Sequence, residues 1–202
     1  MIVTISRQYG AAGLDVAHRL GELTGYPLVG DDFPKITALR LGTTQEDVVA
    51  IEYREPTLAE RILHNLAIAV PEAQVAVSPP SFETEVRKET ETAILEAAQR
   101  SDVIVVGGFA NMVLRGRPNL ISCFLHAPMS FRTSRISAAL NVNVEAARKE
   151  IERVDAAARR WAKLHYDFTW GSSENYTLTI DIARFGIEGA ARLLAHAVRE
   201  SV

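Results

Sequence analysis

Ser6 and Arg7 end the first apolar run of the chain, and Gly10 and Gly13 follow in a loop of small residues. Glycine lets a backbone approach an anion closely. The start of the helical pattern that follows offers unpaired N–H groups and the positive end of a helix dipole. A strand, a glycine-bearing loop and a helix in this order can cradle phosphate. The alternative is a plain strand-to-helix turn, in which both glycines serve backbone geometry only.

The loop departs from the phosphate-binding consensus G-x-x-x-x-G-K-[ST]. With Gly13 at the second glycine, Gln8 stands at the first glycine, Leu14 at the lysine and Asp15 at the hydroxyl position. The lysine would bind the β- and γ-phosphates and the hydroxyl would bind Mg²⁺. Since both are missing, only the glycine-bearing layout supports a phosphate site.

A second set of basic residues lies in the second half of this acidic chain, at Arg132, Arg135, Arg159 and Arg160. Arginines on an exposed helix are usually solvated, which is one interpretation. A phosphoryl-transfer site also needs such residues, because arginine and lysine neutralise the charge of the transferring group when a lid closes. The pattern therefore indicates either a solvated face or an anion-handling lid.

Composition limits the function classes. The 202 residues, 48% hydrophobic and 23% charged, are typical of one soluble α/β domain with an insertion. A net charge of −3 gives no basic footprint for nucleic acid. The single cysteine, Cys123, excludes an internal disulfide and a multi-cysteine metal site, and we expect it to be a buried core thiol. Without a signal sequence or a membrane-spanning apolar run, the expected location is the cytoplasm.

Strand and helix patterns alternate along the chain. Apolar runs predict strands at Ile2 to Ile5, Leu28-Val29, Val103 to Val106, Leu120 to Leu125 and Tyr176 to Ile182. Four consecutive apolar residues from Val103 suggest a strand buried on both faces, as in a parallel sheet. One helix is predicted over 83–100, and another from its cap Asn143 to about His165. A turn over 183–186 is predicted to lead into a closing helix. This alternation predicts one three-layer α/β/α domain over 1–202.

Residues 34–70 look helical throughout, with apolar residues at helical spacing from Leu58 to Ala69, and this length is too great for a single crossover. Val75 to Val77 is a candidate short edge strand. We interpret 34–82 as a helical insertion on the acceptor side of the site, or as a partner-facing helical pair. Thr44 to Asp47 resembles a capping box with Asp in place of Glu. Asp32 is predicted to cap a helix near Pro34. Asp31 either helps to hold a substrate or hydrated metal, or has no such role.

These segments together resemble the cytidylate kinase-like family of P-loop nucleoside monophosphate kinases. The resemblance covers nearly the whole chain in the family's order, at residues 5–13, Gly107 to Leu120, Phe124 to Pro128 with Phe131 and Arg135, Asp155 with Arg159, Trp170 with Asn175-Tyr176, and Ile180 to Ala190. It implies a P-loop NTPase-like fold with a five-stranded parallel sheet, a nucleotide donor at the first loop and an acceptor pocket. It also implies an arginine-bearing lid over 143–170.

The resemblance further implies ATP and Mg²⁺ as cofactors and CMP or dCMP as the phosphoryl acceptor. Nucleotides would be the partners, a homodimer is compatible, and neither nucleic acid nor a membrane is expected. Three groups of site residues follow. Donor binding would fall to Ser6, Arg7, Gly10, Gly13 and Asp15; acceptor binding to Asp31, Gly107, Gly108, Asn111 and Arg132; and transition-state stabilisation to Arg135, Arg159 and Arg160. No side chain is identified as a direct metal ligand.

Two departures from the family pattern keep more than one function open. The family loop usually reads Ser-Arg-Glu-Tyr/Phe-Gly-Ser-Gly-Gly-Arg-Glu, so Leu14 replaces a basic residue and one glycine is lost. The family turn Gly-Arg-Gly-Ala would clamp the acceptor phosphate with its arginine, where this chain has Gly108. Each lost charge-assisted contact costs roughly 1.5–3 kcal/mol. One interpretation is a kinase in which other charges compensate, with weak activity or a different acceptor. The other is a non-catalytic relative that binds nucleotides or dimerises. A structural domain without a ligand is the third interpretation.

Overall fold

The computed structural model describes residues 1–30, 32–52, 81–99 and 102–201. Its centre is a five-stranded sheet in the order β2-β3-β1-β4-β5, with every neighbouring pair parallel. The strands are β1 Ile2–Arg7, β2 Leu28–Val29, β3 Val103–Val106, β4 Leu120–His126 and β5 Leu178–Asp181. The predicted fold class, a three-layer α/β/α fold with a five-stranded parallel sheet, is confirmed.

Eight described helices connect and cover these strands. They are α1 Gly13–Thr24, α2 Phe33–Leu41, α3 Gln45–Glu52, α4 Phe82–Ala97, α5 Ala110–Val113, α6 Met129–Leu140, α7 Val144–Tyr166 and α8 Ile182–Glu200. A short 3₁₀ turn, Ser173–Asn175, precedes β5. No helix in the described part of the chain is both long and apolar enough to cross a bilayer.

Both faces of the sheet are covered, as the continuous apolar strands require. On one face, Val3, Ile5 and Leu125 pack with buried residues of α1 and α8. On the other, Ile2 and Val105 pack with α4 and α5. Cys123 belongs to the first of these cores, and burial raises the pKa of its thiol to about 12, which confirms the predicted packed thiol.

Local signals were mostly confirmed at the helix starts. Asp47 N donates to Thr44 Oγ1 at 3.1 Å and Thr44 N donates to Asp47 Oδ2 at 3.3 Å, so the predicted capping box forms. Asn143 Oδ1 accepts from Ala146 N at 2.8 Å and caps α7. Asp32 occupies the position before α2 without a side-chain bond to that helix, so its capping role was wrong. Its Oδ1 instead accepts from Gly30 N at 3.5 Å.

The long helical block is interrupted where the capping box at Thr44 predicts the start of a new helix. α2 ends at Leu41, and Gly42, with φ of 65°, turns the chain before α3. A left-handed residue of this kind commonly ends a helix, because glycine adopts it without a steric penalty. The rest of the block, including the helical pattern from Leu58 to Ala69 and the strand candidate at Val75 to Val77, lies outside the described residues.

The last helix begins earlier than its sequence pattern suggested. Asp181 Oδ1 accepts from Ala183 N at 2.9 Å, and this cap starts α8 at Ile182. The turn predicted over 183–186 is confined to Gly186, whose φ of 66° and ψ of 176° interrupt the helix. A strong cap therefore moved the helix start ahead of the glycine that marked the turn.

Candidate phosphate site and its surroundings

The loop between β1 and α1 has the layout predicted for a phosphate cradle. Ala12 precedes the helix in the left-handed conformation, with φ of 55° and ψ of 31°, and gives it no side-chain cap. The first N–H groups of a helix have no intrahelical acceptors. Gly13, Leu14 and Asp15 therefore present the open, positive end of α1 to the site, with Leu14 half-buried beside it.

A buried ion pair fastens this loop to two other helices. Arg132 Nη1 on α6 lies 2.7 Å from Asp155 Oδ2 on α7, and both side chains are about 5% exposed. Asp155 Oδ1 accepts from Tyr9 N at 3.0 Å, while Arg132 Nη1 also donates to Tyr9 O at 3.2 Å. Both backbone groups of Tyr9 are thus held by one ion pair, which we call the loop clamp.

The loop clamp explains what Arg132 contacts in the folded chain. Its Nε donates to Ala127 O at 3.1 Å, in addition to the bonds to Asp155 and Tyr9. Its predicted contact with substrate has no support in these bonds, because they all lie within the protein. Removing one partner of a buried ion pair leaves the other charge buried and unpaired, which lowers the free energy of unfolding by about 3–5 kcal/mol. Arg132 and Asp155 act on the site by positioning the loop.

Arg7 reaches across the site from the end of β1. A Cβ atom built on Gly13 would lie 2.6 Å from Arg7 Cδ, and one built on Gly107 would lie 2.9 Å from Arg7 Nη1. The side chain therefore spans from the β1–α1 loop to the turn after β3 and stays exposed. Its charge stands between the two turns that the sequence predicted for donor and acceptor.

The turn after β3 is crowded at Gly108. This residue has φ of +59°, and a Cβ atom there would lie 2.9 Å from Ile94 Cδ1 and 3.5 Å from Phe33 Cδ2. Side chains rarely adopt this backbone conformation, and the space beside it is occupied by apolar groups. The position where the resemblance leads us to expect an arginine therefore has no side chain, and Ile94 and Phe33 occupy the space beside it.

Ser6 and Asn111 form a buried polar pair beneath this turn. Ser6 Oγ donates to Asn111 Oδ1 at 3.3 Å, and Asn111 Nδ2 has no partner among the described residues. Nearby, the Tyr176 hydroxyl lies close to Ser6 without a described partner at hydrogen-bonding distance and angle. Burial raises the pKa of Tyr176 above its ordinary value. These groups form a neutral polar layer, which we call the polar floor, and Ser6 is the member that lines the adjoining cavity.

A small cavity of about 100 Å³ lies above this floor; we call it the loop cavity. Its described lining comprises Ser6, Arg7, Tyr9, Gly107, Gly108, Phe109, Val154, Asp155, Ala158 and Trp170. Helix α7 contributes small apolar groups and the Asp155 carboxylate, which is already paired. Arg7 is the exposed cation among these lining residues.

A larger depression of about 400 Å³ lies beside the carboxyl ends of β4 and β5; we call it the β4–β5 groove. Its described lining comprises Gln8, Phe124, His126, Arg159, Trp170, Gly171, Ser173 and Thr179. Trp170 lines both spaces and packs edge-to-face on Phe124 at 5.2 Å. Arg159 faces this groove and is absent from the described lining of the loop cavity.

The three predicted catalytic arginines are therefore not gathered around the loop cavity. Arg135 Nη2 pairs with Asp15 Oδ2 at 2.7 Å on the exposed rim of α1, Arg159 lies in the groove, and Arg160 is half-buried on α7. Asp31 lies outside the described residues. Where side chains are described, no cluster of three or more His, Cys, Asp or Glu residues is placed to hold a metal ion.

Sequence reasoning did not assign roles to Tyr9, Ala158 and Trp170. The i, i+4 spacing of Val154 and Ala158 indicates a shared helix face, but not that this face lines a cavity. The role of Tyr9 lies in its backbone, which side-chain chemistry does not reveal. Trp170 follows Trp161, Tyr166 and Phe168 in the sequence, and such a cluster of aromatic residues is equally typical of a core.

The parallel order β2-β3-β1-β4-β5, the open end of α1 and the arginine above it place the protein in the class of P-loop kinase-like α/β folds. Residues 2–184 match the model of the cytidylate kinase-like family, and the chain belongs to that family. It is 24% identical over 202 residues to a cytidylate kinase of Methanocella arvoryzae, covering 99% of this chain and 98% of that protein.

Two solved structures are similar in fold. An uncharacterised protein from Eubacterium ventriosum superposes with a TM-score of 0.69 at 18% identity, over 99% of both chains. A shikimate kinase from Bacteroides thetaiotaomicron superposes with a TM-score of 0.57 at 12% identity, over 98% of both chains. Since these identities are low, the likeness concerns the fold alone.

Proposed function

We propose that this chain binds ATP through its phosphates at the β1–α1 loop and transfers the terminal phosphoryl group to a nucleoside monophosphate, with CMP or dCMP as the first candidates. The observation that supports this most is the position of Arg7. Its side chain contacts Gly13 at one turn and approaches Gly107 at the other. A single cation can therefore neutralise charge that passes between donor and acceptor.

The donor phosphates fit the residues at the start of α1. The N–H groups of Gly13 and Leu14 point out of an uncapped helix end, which favours an anion. Leu14 adds no charge, so Arg7 is the side chain we assign to the phosphates. The loop clamp holds Tyr9 and thereby fixes this geometry before any ligand binds.

Mg²⁺ supplies charge neutralisation between the phosphates when it is bound. The carboxylate of Asp15, on the first turn of α1 and about half-exposed, would contact the hydration shell of this ion. Asp15 already pairs with Arg135 at 2.7 Å, so the two residues form one charged unit at the rim. We assign Arg135 the role of orienting this carboxylate.

Phosphoryl transfer asks mainly for positioning and electrostatic stabilisation. In the loop cavity, Phe109 and Trp170 provide apolar walls beside the charge of Arg7. Apolar walls lower the local dielectric constant, which strengthens the interaction between Arg7 and the transferring group. With one exposed cation in the described lining, we expect turnover to depend steeply on this residue.

The second candidate is a relative that binds nucleotide without transferring phosphoryl groups. The crowding of Gly108 by Ile94 favours it, because no basic side chain reaches the acceptor side of the turn from that position. The uncharged Leu14 favours it as well, because it leaves the donor phosphates to the helix end and Arg7. Both candidates share nucleotide binding and differ only in product formation.

A product assay with three proteins separates these candidates. The chain, Arg7→Ala and the control Arg192→Ala are incubated with ATP, Mg²⁺ and, separately, CMP, dCMP, UMP, AMP and GMP. Arg192 is an exposed residue of α8 paired with Glu188, about ten residues beyond the sheet edge where that helix begins. Products are separated by chromatography, and ATP binding is measured by calorimetry.

We expect diphosphate from at least one acceptor, at a rate that Arg7→Ala lowers about 10- to 100-fold, the equivalent of a lost charge-assisted contact. Arg192→Ala should leave the rate unchanged. ATP binding without any diphosphate would establish the non-catalytic candidate. Absence of both binding and product from a well-folded protein would overturn both candidates and leave the fold as a structural domain.

A further inference from the structure

The polar floor contains a hydrogen bond whose direction can be reversed. In the free protein Ser6 Oγ donates to Asn111 Oδ1. We propose that a phosphate group in the loop cavity takes over the Ser6 proton, and that the Asn111 amide then rotates and donates to Ser6 Oγ through Nδ2. We call this pair the hydrogen-bond switch. It rests on the proposed phosphate binding at the β1–α1 loop and gives Asn111 a positioning role, in which Asn111 acts on the ligand only through Ser6.

The first support is the place of the two residues relative to the loop cavity. Ser6, near the end of β1, lines this cavity, whereas Asn111 on α5 is absent from its described lining. Asn111 is only 4% exposed, and its amide contacts the Ser6 hydroxyl. A ligand in the loop cavity can therefore reach Ser6, and any influence of Asn111 on that ligand has to pass through Ser6.

The second support is that Ser6 has a single proton to donate. A serine hydroxyl carries one proton and two lone pairs, while the oxygens of a phosphate are strong acceptors. The proton is used in the bond to Asn111 Oδ1, which at 3.3 Å is longer than the roughly 2.7–2.8 Å typical of O–H···O bonds. A bond to an ionised acceptor is shorter and about twice as strong. A phosphate group beside Ser6 therefore competes successfully with Asn111 for this proton.

The third support is a buried donor without an acceptor. Asn111 Nδ2 has no partner among the described residues, although buried polar groups are almost always hydrogen-bonded. Rotation of the amide by about 180° exchanges its oxygen and nitrogen, and this torsion angle has two broad minima. After the rotation Nδ2 can donate to Ser6 Oγ. One amide atom is unpaired before the rotation and one after it, so the exchange adds no unsatisfied group and releases the Ser6 proton.

Tyr176 provides a second donor beside Ser6. Its hydroxyl lies close to Ser6 and has no described partner at hydrogen-bonding distance and angle. A Ser6 hydroxyl that gives its proton to a phosphate oxygen keeps two lone pairs, which can accept from Asn111 Nδ2 and from the Tyr176 hydroxyl. The ligand-bound state thus pairs two buried donors that are unpaired in the free protein.

The first test measures the binding of inorganic tripolyphosphate by calorimetry. The proteins are the parent chain, Ser6→Ala, Asn111→Leu and the variant with both substitutions, since leucine neither donates nor accepts a hydrogen bond. The matched control is Thr4→Val. Thr4 is buried two positions before Ser6 on the same face of β1, and its Oγ1 also lacks a described partner. Urea unfolding confirms that each variant is folded.

We expect Ser6→Ala to lower tripolyphosphate affinity about tenfold or more, the size of a lost hydrogen bond to a charged group. Asn111→Leu alone should lower it about two- to tenfold, because Ser6 loses the donor that turns its proton towards the ligand. In the Ser6→Ala protein, Asn111→Leu should change the affinity less than about twofold, since the two residues act as one unit. Thr4→Val should leave the affinity unchanged.

The second test observes the Asn111 amide by nuclear magnetic resonance. Its side-chain NH₂ signals in a nitrogen–proton correlation spectrum are identified by their loss in Asn111→Leu. Saturating tripolyphosphate should move one of these proton signals downfield in the parent chain, because Nδ2 then gains Ser6 Oγ as an acceptor. Ser6→Ala, saturated with the same ligand, should not show this shift. A residue that only fills space would give no such dependence on Ser6.

The outcomes separate this inference from the function beneath it. If tripolyphosphate binds the parent chain and the fold-changes of Ser6→Ala and Asn111→Leu multiply in the combined variant, Asn111 acts independently of Ser6 and the hydrogen-bond switch is overturned. Unchanged Asn111 amide signals at saturation would overturn it as well. If neither ATP nor tripolyphosphate binds the parent chain, the proposed phosphate binding has failed and the switch fails with it.

Discussion

The loop cavity and the β4–β5 groove share Trp170 but differ in rigidity, size and charge. The loop cavity is small, is bounded by a loop with a buried ion pair behind it, and exposes one described cation, Arg7. The groove is about four times larger and contains Arg159 beside His126. A preorganised loop favours a ligand of constant shape, such as phosphate, whereas an open groove can admit ligands of different shapes.

One turn of α7 produces most of this contrast. Successive residues of a helix point about 100° apart, so Ala158 and Arg159 face different spaces. The arginine of this pair, Arg159, lies on the groove side of the helix, and the uncharged Ala158 lies on the side of the loop cavity. The fold alone therefore does not decide whether the protein transfers phosphoryl groups, because the relevant cations depend on single positions along one helix.

The largest expected effect comes from breaking the loop clamp with Asp155→Ala. The free energy of unfolding should fall by about 3–5 kcal/mol, because Arg132 would remain buried and unpaired. Urea unfolding measures this change. The control Glu152→Ala removes an exposed partner of Arg148 on the same helix and should cost less than about 1 kcal/mol. Similar losses of stability in both variants would show that the buried ion pair contributes no more than an exposed one, and would contradict the proposed rigidity of the loop cavity.

The comparison of charge can be tested by adding a second cation to the loop cavity. Ala158→Arg points a guanidinium towards the space already lined by Arg7, and tripolyphosphate affinity should rise about tenfold. The matched control Ala156→Arg adds the same charge at an exposed position of α7 and should have little effect. Calorimetry measures both, with melting curves to confirm folding. Equal gains in the two variants would point to general electrostatic attraction instead of a built site.

The backbone of the phosphate loop can be tested with Ala12→Gly. Ala12 is left-handed at φ of 55°, which costs an alanine roughly 1–2 kcal/mol. Glycine removes that cost but adds about 0.4–1 kcal/mol of unfolded-chain entropy. Ala12 is also buried, so losing its methyl group costs up to about 0.8 kcal/mol, and we expect a net change in the free energy of unfolding within about 1 kcal/mol of zero. The control Ala11→Gly deletes a fully buried methyl group without relieving any strain and should lower the stability more. A loss in Ala12→Gly as large as that in Ala11→Gly would contradict the strained loop.

The smallest effect concerns the polar floor. At neutral pH Tyr176→Phe should change the free energy of unfolding by less than about 1 kcal/mol, since the hydroxyl has no described partner to lose. Burial raises the pKa of Tyr176, so its phenol ionises in the unfolded chain first. The parent chain should therefore lose stability as the pH rises above the ordinary value of about 10, relative to the variant. Urea unfolding at two pH values tests this, and a pH-independent difference would contradict it.

The elements of the fold could be predicted because their signals are local. The four apolar residues of Val103 to Val106, the cap at Asn143 and the capping box at Thr44 each depend on neighbours a few positions away. The five-stranded parallel sheet followed from the family resemblance, which covers most of the chain. One local prediction was wrong. Asp32 is a favourable capping residue, but its side chain accepts a hydrogen bond from Gly30 N instead of capping α2.

The site was less accessible because its decisive contacts are distant in sequence. Arg132 meets Asp155 across 23 positions and Tyr9 across 123, and no spacing rule links them. The helical pattern of α7 located Arg159 on a helix but not its direction relative to Ala158. The crowding of Gly108 by Ile94 likewise appears only once α4 packs against the turn.

The loop clamp has a mechanical consequence for α7. This helix has 23 residues, about 35 Å at 1.5 Å per residue, and Asp155 is near its midpoint. The same helix packs on Ile136 through Ala147 and Ile151 on one side of Asp155, and near Phe124 through Ala162 on the other side. A tilt of α7 would therefore have to displace these two cores and the phosphate loop together.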